Sequence, residues 1–426
     1  MHRMILNKVG PITYCDITID NFTILTGAQA SGKSTIAKAI YYFRTVKDDI
    51  LDIMIKRNSA VTASHKLYKA VTKQLRYKFL QLFGSSRAMD NSLSMQYYYS
   101  ENTFIKITLK FDENAEHISP NYVDFDFSFN IKKLLSKYNN VDIAHNSSKE
   151  EISMELNQLF CDDFETIFIP AGRSLITLLT TQLNYIFTVM DDEQKRTIDL
   201  CTQKYIERIL RIRAVLSEGI AGYFDNKKKT SSTEIKRSLI KKCLSSVERV
   251  LKGKYIYVEG EERLVLESGR FVKINYTSSG QQESVWIFNI LLYQLIAGIK
   301  TFIILEEPEA HLYPDAQKEI SELLAIFMSA GNAALITTHS PYVLGAINNL
   351  LFANLIEKHF GKESIATIVD SAKTLPSCEA FFVERGEIQS CIDKEAMLIK
   401  NEVIDGASSD INDMFDKLLE ASNGEV

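Results

Sequence analysis

GAQASGKST, residues 27–35, fits the pattern GxxxxGK[ST]. The glycines let the backbone curl until successive N–H groups face inward. The loop then feeds a helix N-terminus, whose partial positive charge favours a phosphate. The flanks agree with that reading. Phe22, Ile24 and Leu25 form a short apolar run before the loop, and IAKAIYYFRTV at 36–46 has the apolar period of a helix. Strand, glycine loop and helix in that order are what the pattern requires. Gly27, Ala28, Gln29, Ala30, Ser31, Gly32, Lys33, Ser34 and Thr35 are therefore candidate nucleotide-binding residues. Lys33 reaches for the β- and γ-phosphates, and Ser34 offers its hydroxyl to Mg²⁺.

Two later stretches supply what such a loop lacks. Phe302 to Leu305 is an apolar strand that ends in Glu306 and Glu307. Successive side chains of a strand face opposite ways, so two neighbours at its tip can do different jobs. Glu306 is the candidate for the Mg²⁺ shell, and Glu307 the candidate base that orients and deprotonates a water. Two acids closing a buried strand are costly unless a cation or water network faces them. Thr337-Thr338-His339-Ser340 follows another apolar strand. Parallel strands bring their C-terminal ends to one edge, where ligands of open α/β sheets bind. His339 then reads as a γ-phosphate sensor. A third stretch, NYTSSGQQESVW at 275–286, sets a polar loop directly before an apolar helix.

GAQASGKST, TSSGQQE, FIILEEPEAHLYP and TTHSP stand in the order found in ATP-binding-cassette (ABC) ATPases. The set resembles the SMC-like branch and the OLD (overcoming lysogenization defect) family, over roughly 1–45 and 255–370, and Gly10-Pro11-Ile12 also looks familial. The resemblance implies an α/β fold: a P-loop NTPase ABC-ATPase head with N-terminal antiparallel strands and a largely helical inserted arm. It implies ATP and Mg²⁺, slow hydrolysis, and an ATP sandwich between two subunits. Ser278, Ser279, Gly280 and Gln281 then face the nucleotide of the partner copy, with the following helix aimed at its phosphate. Glu306 stands where transporter relatives carry Asp, and Ser279 replaces the first glycine of their LSGGQ.

The resemblance divides the chain into an ATPase core at 1–46 and 255–426, a mixed α/β insertion at 47–165, and a lobe-coupling strand with a helical insertion at 166–254. Within the insertions, Leu51 to Phe83 reads as helical and Leu135 to Glu151 as a polar surface loop. NKKKTSSTEIK at 226–236 splits a helical stretch, Leu175 to Leu251, into two arms with a basic tip. Asp124-Phe125-Asp126 lies on an alternating strand rather than in a metal site. Arg173, in PAGRS, either binds phosphate or pairs with a carboxylate.

Hydrophobic residues make up 46% and charged ones 24%, which suits an ordinary globular chain. The six cysteines, at 15, 161, 201, 243, 378 and 391, form no CxxC pair and read as reduced buried residues. No secretory signal is visible, and the most apolar uncharged run, Ser284 to Ile299, is shorter than the ~20 residues a bilayer demands. A cytoplasmic protein without membrane contact is expected. The net charge of −5 hides basic blocks: 36–90 carry 11 Lys/Arg against 4 Asp/Glu, and 194–254 carry 16 against 6. An acidic block, 378–426, carries 4 against 12. Such blocks suit polyanion contact, subunit docking or simply solvated helix faces.

OLD nucleases continue into a nuclease module with a DxD motif, which the residues after His339 lack. The resemblance therefore points to a stand-alone ATPase subunit of an anti-phage system (PARIS or Septu type) that controls a separate effector, a nuclease. The alternative is an SMC-like DNA-repair ATPase that contacts DNA non-specifically through the basic blocks. A transporter's nucleotide-binding subunit fits the helical insertions and EEPEAHLYP poorly.

Overall fold

The computed structural model describes residues 2–58, 67–110, 123–139, 146–178, 189–190, 198–227, 234–400, 402–404, 413–414 and 418. Strands β1 (His2–Val9) and β2 (Ile12–Ile19) make an antiparallel hairpin, and β3 (Phe22–Thr26) leads into the glycine loop. β4 (Ser94–Ser100), β5 (Thr103–Leu109) and β6 (Val123–Phe127) join the hairpin in a sheet ordered β2-β1-β4-β5-β6. Strict alternation drives this sheet. Met95 and Tyr97 on β4, with Ile105 and Ile107 on β5, point into the core while their neighbours are only half-buried. The strands of 47–165 thus complete the sheet that the N-terminal hairpin begins. Asp124 and Asp126 on β6 pair with Lys110 and Lys132, and the described residues hold no cluster of metal-ligating side chains.

The second sheet positions the site. β7 is Glu165–Ile169, and β8 (Lys254–Val258), β9 (Glu261–Val265) and β10 (Phe271–Lys273) form a small antiparallel sheet of their own. β11 (Thr301–Glu306), β12 (Ala333–Thr338), β13 (Glu379–Glu384) and β14 (Glu387–Ser390) complete the order β14-β13-β3-β12-β11-β7, with only β14 antiparallel. β3, β11 and β12 are buried at every residue, as a sheet covered on both faces requires. Phe302 and Ile304 join the apolar cluster shared with the N-terminal sheet and the helix Lys33–Arg44. Ile303 and Leu305 join the opposite cluster, with the helices Ser279–Ala297, Pro314–Ser329 and Pro341–Phe360.

Several local expectations change. The helical stretch from Leu51 to Phe83 is two helices, Val46–Asn58 and Leu67–Phe83. The polar segment 135–151 is not a loop throughout: one helix runs to Lys137 and another covers Asn146–Leu159. The second helix buries Ile152 and Leu156. The helical region of 175–251 contains Leu200–Arg213, Gly219–Lys227 and Glu234–Leu251, the last two packing on Ser279–Ala297. Most of the expected basic tip, 228–233, lies outside the described residues. All six cysteines are free, and every one but Cys161 is buried. No described helix is long and apolar enough to cross a membrane.

A buried ionic knot joins the glycine-loop helix to the approach of β7. Arg44 Nη2 donates to Asp162 Oδ1 at 2.9 Å, and its guanidinium lies 3.8 Å from the Phe302 ring centroid. Lys47 Nζ donates to the carbonyls of Asp162 (2.6 Å) and Phe164 (2.8 Å). Asp162→Ala removes the carboxylate and leaves two buried cations facing each other. We expect a loss of about 3–5 kcal/mol, read as a lower urea midpoint at unchanged m-value.

Candidate active site

The sheet order assembles the site. β12 lies between β3 and β11, in register Thr338↔Thr26 and Glu306↔Thr337. The three strand ends therefore stand side by side, and the residue after β12 falls between the glycine loop and the acidic pair. His339 occupies that position. Its Nδ1 lies 3.0 Å from Gly27 O and 3.4 Å from Lys33 Nζ, and its Nε2 lies 3.0 Å from Glu307 Oε1. Its backbone N–H donates to Glu309 Oε1 at 2.7 Å, and Thr338 Oγ1 donates to the same oxygen at 2.8 Å. Ser340 caps the next helix by accepting from Tyr342 N and Val343 N, and Pro341 takes its first turn.

In the glycine loop, Ala28 to Ala30 are exposed while Ser31 and Lys33 are buried. Lys33 Nζ donates to Gly27 O (2.9 Å), Ala28 O (2.7 Å) and Ser31 Oγ (3.4 Å), so its ammonium is held inside the curl. Burial pushes the Lys33 pKa down, and the charges of Glu307 and Glu309 pull it back up. Gly27 has φ +135°, and a Cβ there would sit 2.2 Å from Val383 O on β13. Strand β13, far along the chain, thus braces the loop. Ser34 is exposed at the first turn of the helix Lys33–Arg44.

The acidic pair divides as its strand position suggests. Glu306 is buried: Oε2 accepts from Ala171 N at 3.2 Å, while Oε1 is buried without a hydrogen-bond partner. Glu307 turns out of the strand with φ +44°, a left-handed conformation that costs any residue with a Cβ. Its N–H donates to Thr337 O at 2.9 Å.

The stretch 277–281 is not the loose loop its composition suggests. Ser278 caps the helix Ser279–Ala297 and forms a capping box with Gln281, so Ser279, Gly280 and Gln281 already lie in the first turn. Gln281 Nε2 donates to Leu251 O at 2.6 Å. Gly280 is buried against the segment after Glu307: a Cβ there would stand 2.6 Å from His311 O. The hydrogen bonds of 277–281 among the described residues stay on this side and do not reach Lys33 or Glu307.

Residues 10–344 match the family model described as the AAA ATPase domain. The chain belongs to the AAA ATPase domain family. No curated relative matches it. Solved structures similar to it include an SMC head bound to the C-winged helix domain of ScpA, at 11% identity, with 91% of this chain and 96% of that one covered and a TM-score of 0.42. Another is the SMC head domain with an extended coiled coil bound to the C-terminal domain of ScpA from Pyrococcus furiosus (12% identity, coverage 97% and 100%, TM-score 0.39). A third is the SMC head domain from Thermotoga maritima (11%, 91% and 97%, TM-score 0.36).

An AAA ATPase domain implies a nucleotide and usually Mg²⁺. The residues present fit both. The unpartnered Glu306 Oε1 is a buried anionic oxygen that a cation or its water shell would satisfy. In this ATPase domain the sequence reading missed a cavity of about 530 Å³ beside Ser34 and Thr35. It is lined by the β1–β2 turn, including Lys8, Pro11 and Thr13, and by Phe83, at the end of the helix Leu67–Phe83, and Met89. The only sequence trace of it was Gly10-Pro11-Ile12. Arg173, which the sequence allows to meet a phosphate or a carboxylate, is fully buried and pairs with Glu283 at 3.2 Å.

Proposed function

We propose that this chain binds and hydrolyses ATP with Mg²⁺ as a homodimer, and that the dimer is a switch acting on a separate effector. The observation that carries the hydrolytic part is the contact series Lys33–His339–Glu307, with 3.4 Å and 3.0 Å steps. Lys33 and the loop N–H groups hold the β- and γ-phosphates, while His339 stands beside the γ-phosphate. Glu307 orients and deprotonates the attacking water, and Ser34 and Glu306 hold Mg²⁺, which offsets phosphate charge. The cavity beside Thr35 receives the nucleoside.

Three exposed tyrosines support the dimer. Tyr276 precedes the capped helix, Tyr313 ends the segment after Glu307, and Tyr342 follows His339. They are 80%, 76% and 58% exposed, more than large aromatic rings are usually left. A second copy would cover them as Ser278, Ser279, Gly280 and Gln281 approach its nucleotide. The effector reading, a nuclease held or released in anti-phage defence, rests on the likeness to stand-alone OLD-like ATPases and on the acidic 378–426 block.

The test is particle mass with and without ATP and Mg²⁺, together with co-purification of the neighbouring gene product. Mass should double with ATP. Ser278→Trp should keep ATP binding within about twofold yet stay monomeric, because the added ring would occupy the closing face. A Ser278→Trp protein that dimerises normally would remove that face from the interface. Tight, salt-sensitive DNA binding without any bound effector would replace the effector reading with a DNA-directed one.

A further inference from the structure

Arg173's side-chain hydrogen bonds go to carbonyls and not to the site's side chains, yet it holds the backbone that aims one of them. Its Nη1 donates to Glu306 O at 2.6 Å and to Pro170 O at 2.7 Å, and its Nη2 donates to Glu307 O at 2.8 Å. The Glu306 and Glu307 carbonyls flank the Glu307 Cα, so fixing both fixes φ and ψ of Glu307. That residue sits at φ +44°, where the relaxed chain would not stay. One planar guanidinium therefore holds the strained conformation that turns the Glu307 carboxylate toward His339.

The other end of Arg173 is tied to the helix Ser279–Ala297. Glu283 Oε2 accepts from Arg173 N at 3.1 Å and lies 3.2 Å from Nε, while Glu283 Oε1 accepts from Ser174 N at 2.9 Å. Arg173 Nε also donates to Glu283 O at 3.1 Å, and Thr177 Oγ1 to Gln282 O at 2.9 Å. Glu283 is buried, one turn into the helix that Ser278 caps. His311 Nδ1, exposed on the segment after Glu307, lies 4.0 Å from Glu283 Oε1. A buried pair whose polar atoms all have partners is rigid. Any shift of that helix's first turn moves Glu283, then Arg173, then the two carbonyls.

We infer that Arg173 and Glu283 are positioning residues that couple the Ser278 end of the helix to the catalytic Glu307 of the same chain. The inference rests on the ATPase-dimer reading above and adds a direction to it: a partner's nucleotide closing on Ser278–Gln281 sets Glu307 in the neighbouring site. Arg173→Lys keeps the charge but can reach only one carbonyl cleanly, and Glu283→Gln keeps the shape but loses an acceptor.

The experiment measures kcat, KM, affinity for a fluorescent ATP analogue with Mg²⁺, ATP-dependent mass and thermal midpoint. It uses the full chain and both variants. We expect kcat to fall about 10- to 100-fold, as a misplaced catalytic group does. KM and analogue affinity should stay within twofold and the ATP-bound dimer should still form. Combining either substitution with Ser278→Trp should cost less than the product of the two effects. Wild-type kcat in both variants overturns the coupling alone. So does a parallel fall of kcat, affinity and thermal midpoint, which is plain loss of structure. A wild-type protein that binds no ATP analogue overturns the ATPase-dimer reading and the coupling with it.

Discussion

Glu307→Gln should abolish turnover while leaving an ATP-bound dimer that no longer comes apart. The carboxylate stands at the strand ends, with Oε1 3.0 Å from His339 Nε2. An amide of the same shape can still meet the imidazole but cannot take a proton. Removing a positioned general base costs about 10²- to 10⁴-fold in rate. Because Gln neither clashes nor adds charge, nucleotide binding should be unchanged. Single-turnover hydrolysis and mass in ATP and Mg²⁺ check both halves. Turnover within tenfold of wild type would remove Glu307 from the catalytic role, and Glu309, whose Oε2 is buried and unpartnered, would be the next residue to substitute.

Lys33→Ala should weaken nucleotide binding itself. The ammonium now lies on the Gly27 and Ala28 carbonyls, inside the loop where phosphate would sit. A charge-assisted hydrogen bond is worth about 1.5–3 kcal/mol, so affinity for an ATP analogue should fall roughly 10- to 150-fold. The fold should survive, because Lys33 bonds mainly to an exposed loop and the helix behind it is anchored by Ile36, Ala37 and Ile40. Titration of the analogue, with circular dichroism as the folding control, decides it. Unchanged affinity would mean the ammonium stays with its own loop carbonyls when nucleotide is present.

Much of the site was legible because its motifs are local. Five to nine consecutive residues carry both the chemistry and the turn that presents it, as in GAQASGKST and the Glu306-Glu307 strand end. The capped helix was legible only in part. Its polar composition hid a capping box, which depends on a Ser278–Gln281 contact that flexible loops and helix starts can share in sequence. Arg173 was undecidable for a deeper reason. A lone arginine after a strand carries no sign of whether it meets a phosphate or a carboxylate, and its partner Glu283 stands 110 residues on.

The sequence by itself determined the strand–loop–helix unit, the acidic strand end, the histidine strand end and the α/β class, since each follows from short-range spacing. Tertiary structure alone decided that β12 runs between β3 and β11, and so that His339 links Lys33 to Glu307. It also decided that β13 braces Gly27 and that one buried arginine holds Glu307 in its left-handed turn. Strand order and long-range pairing depend on which apolar faces bury each other across hundreds of residues. No local pattern encodes that choice.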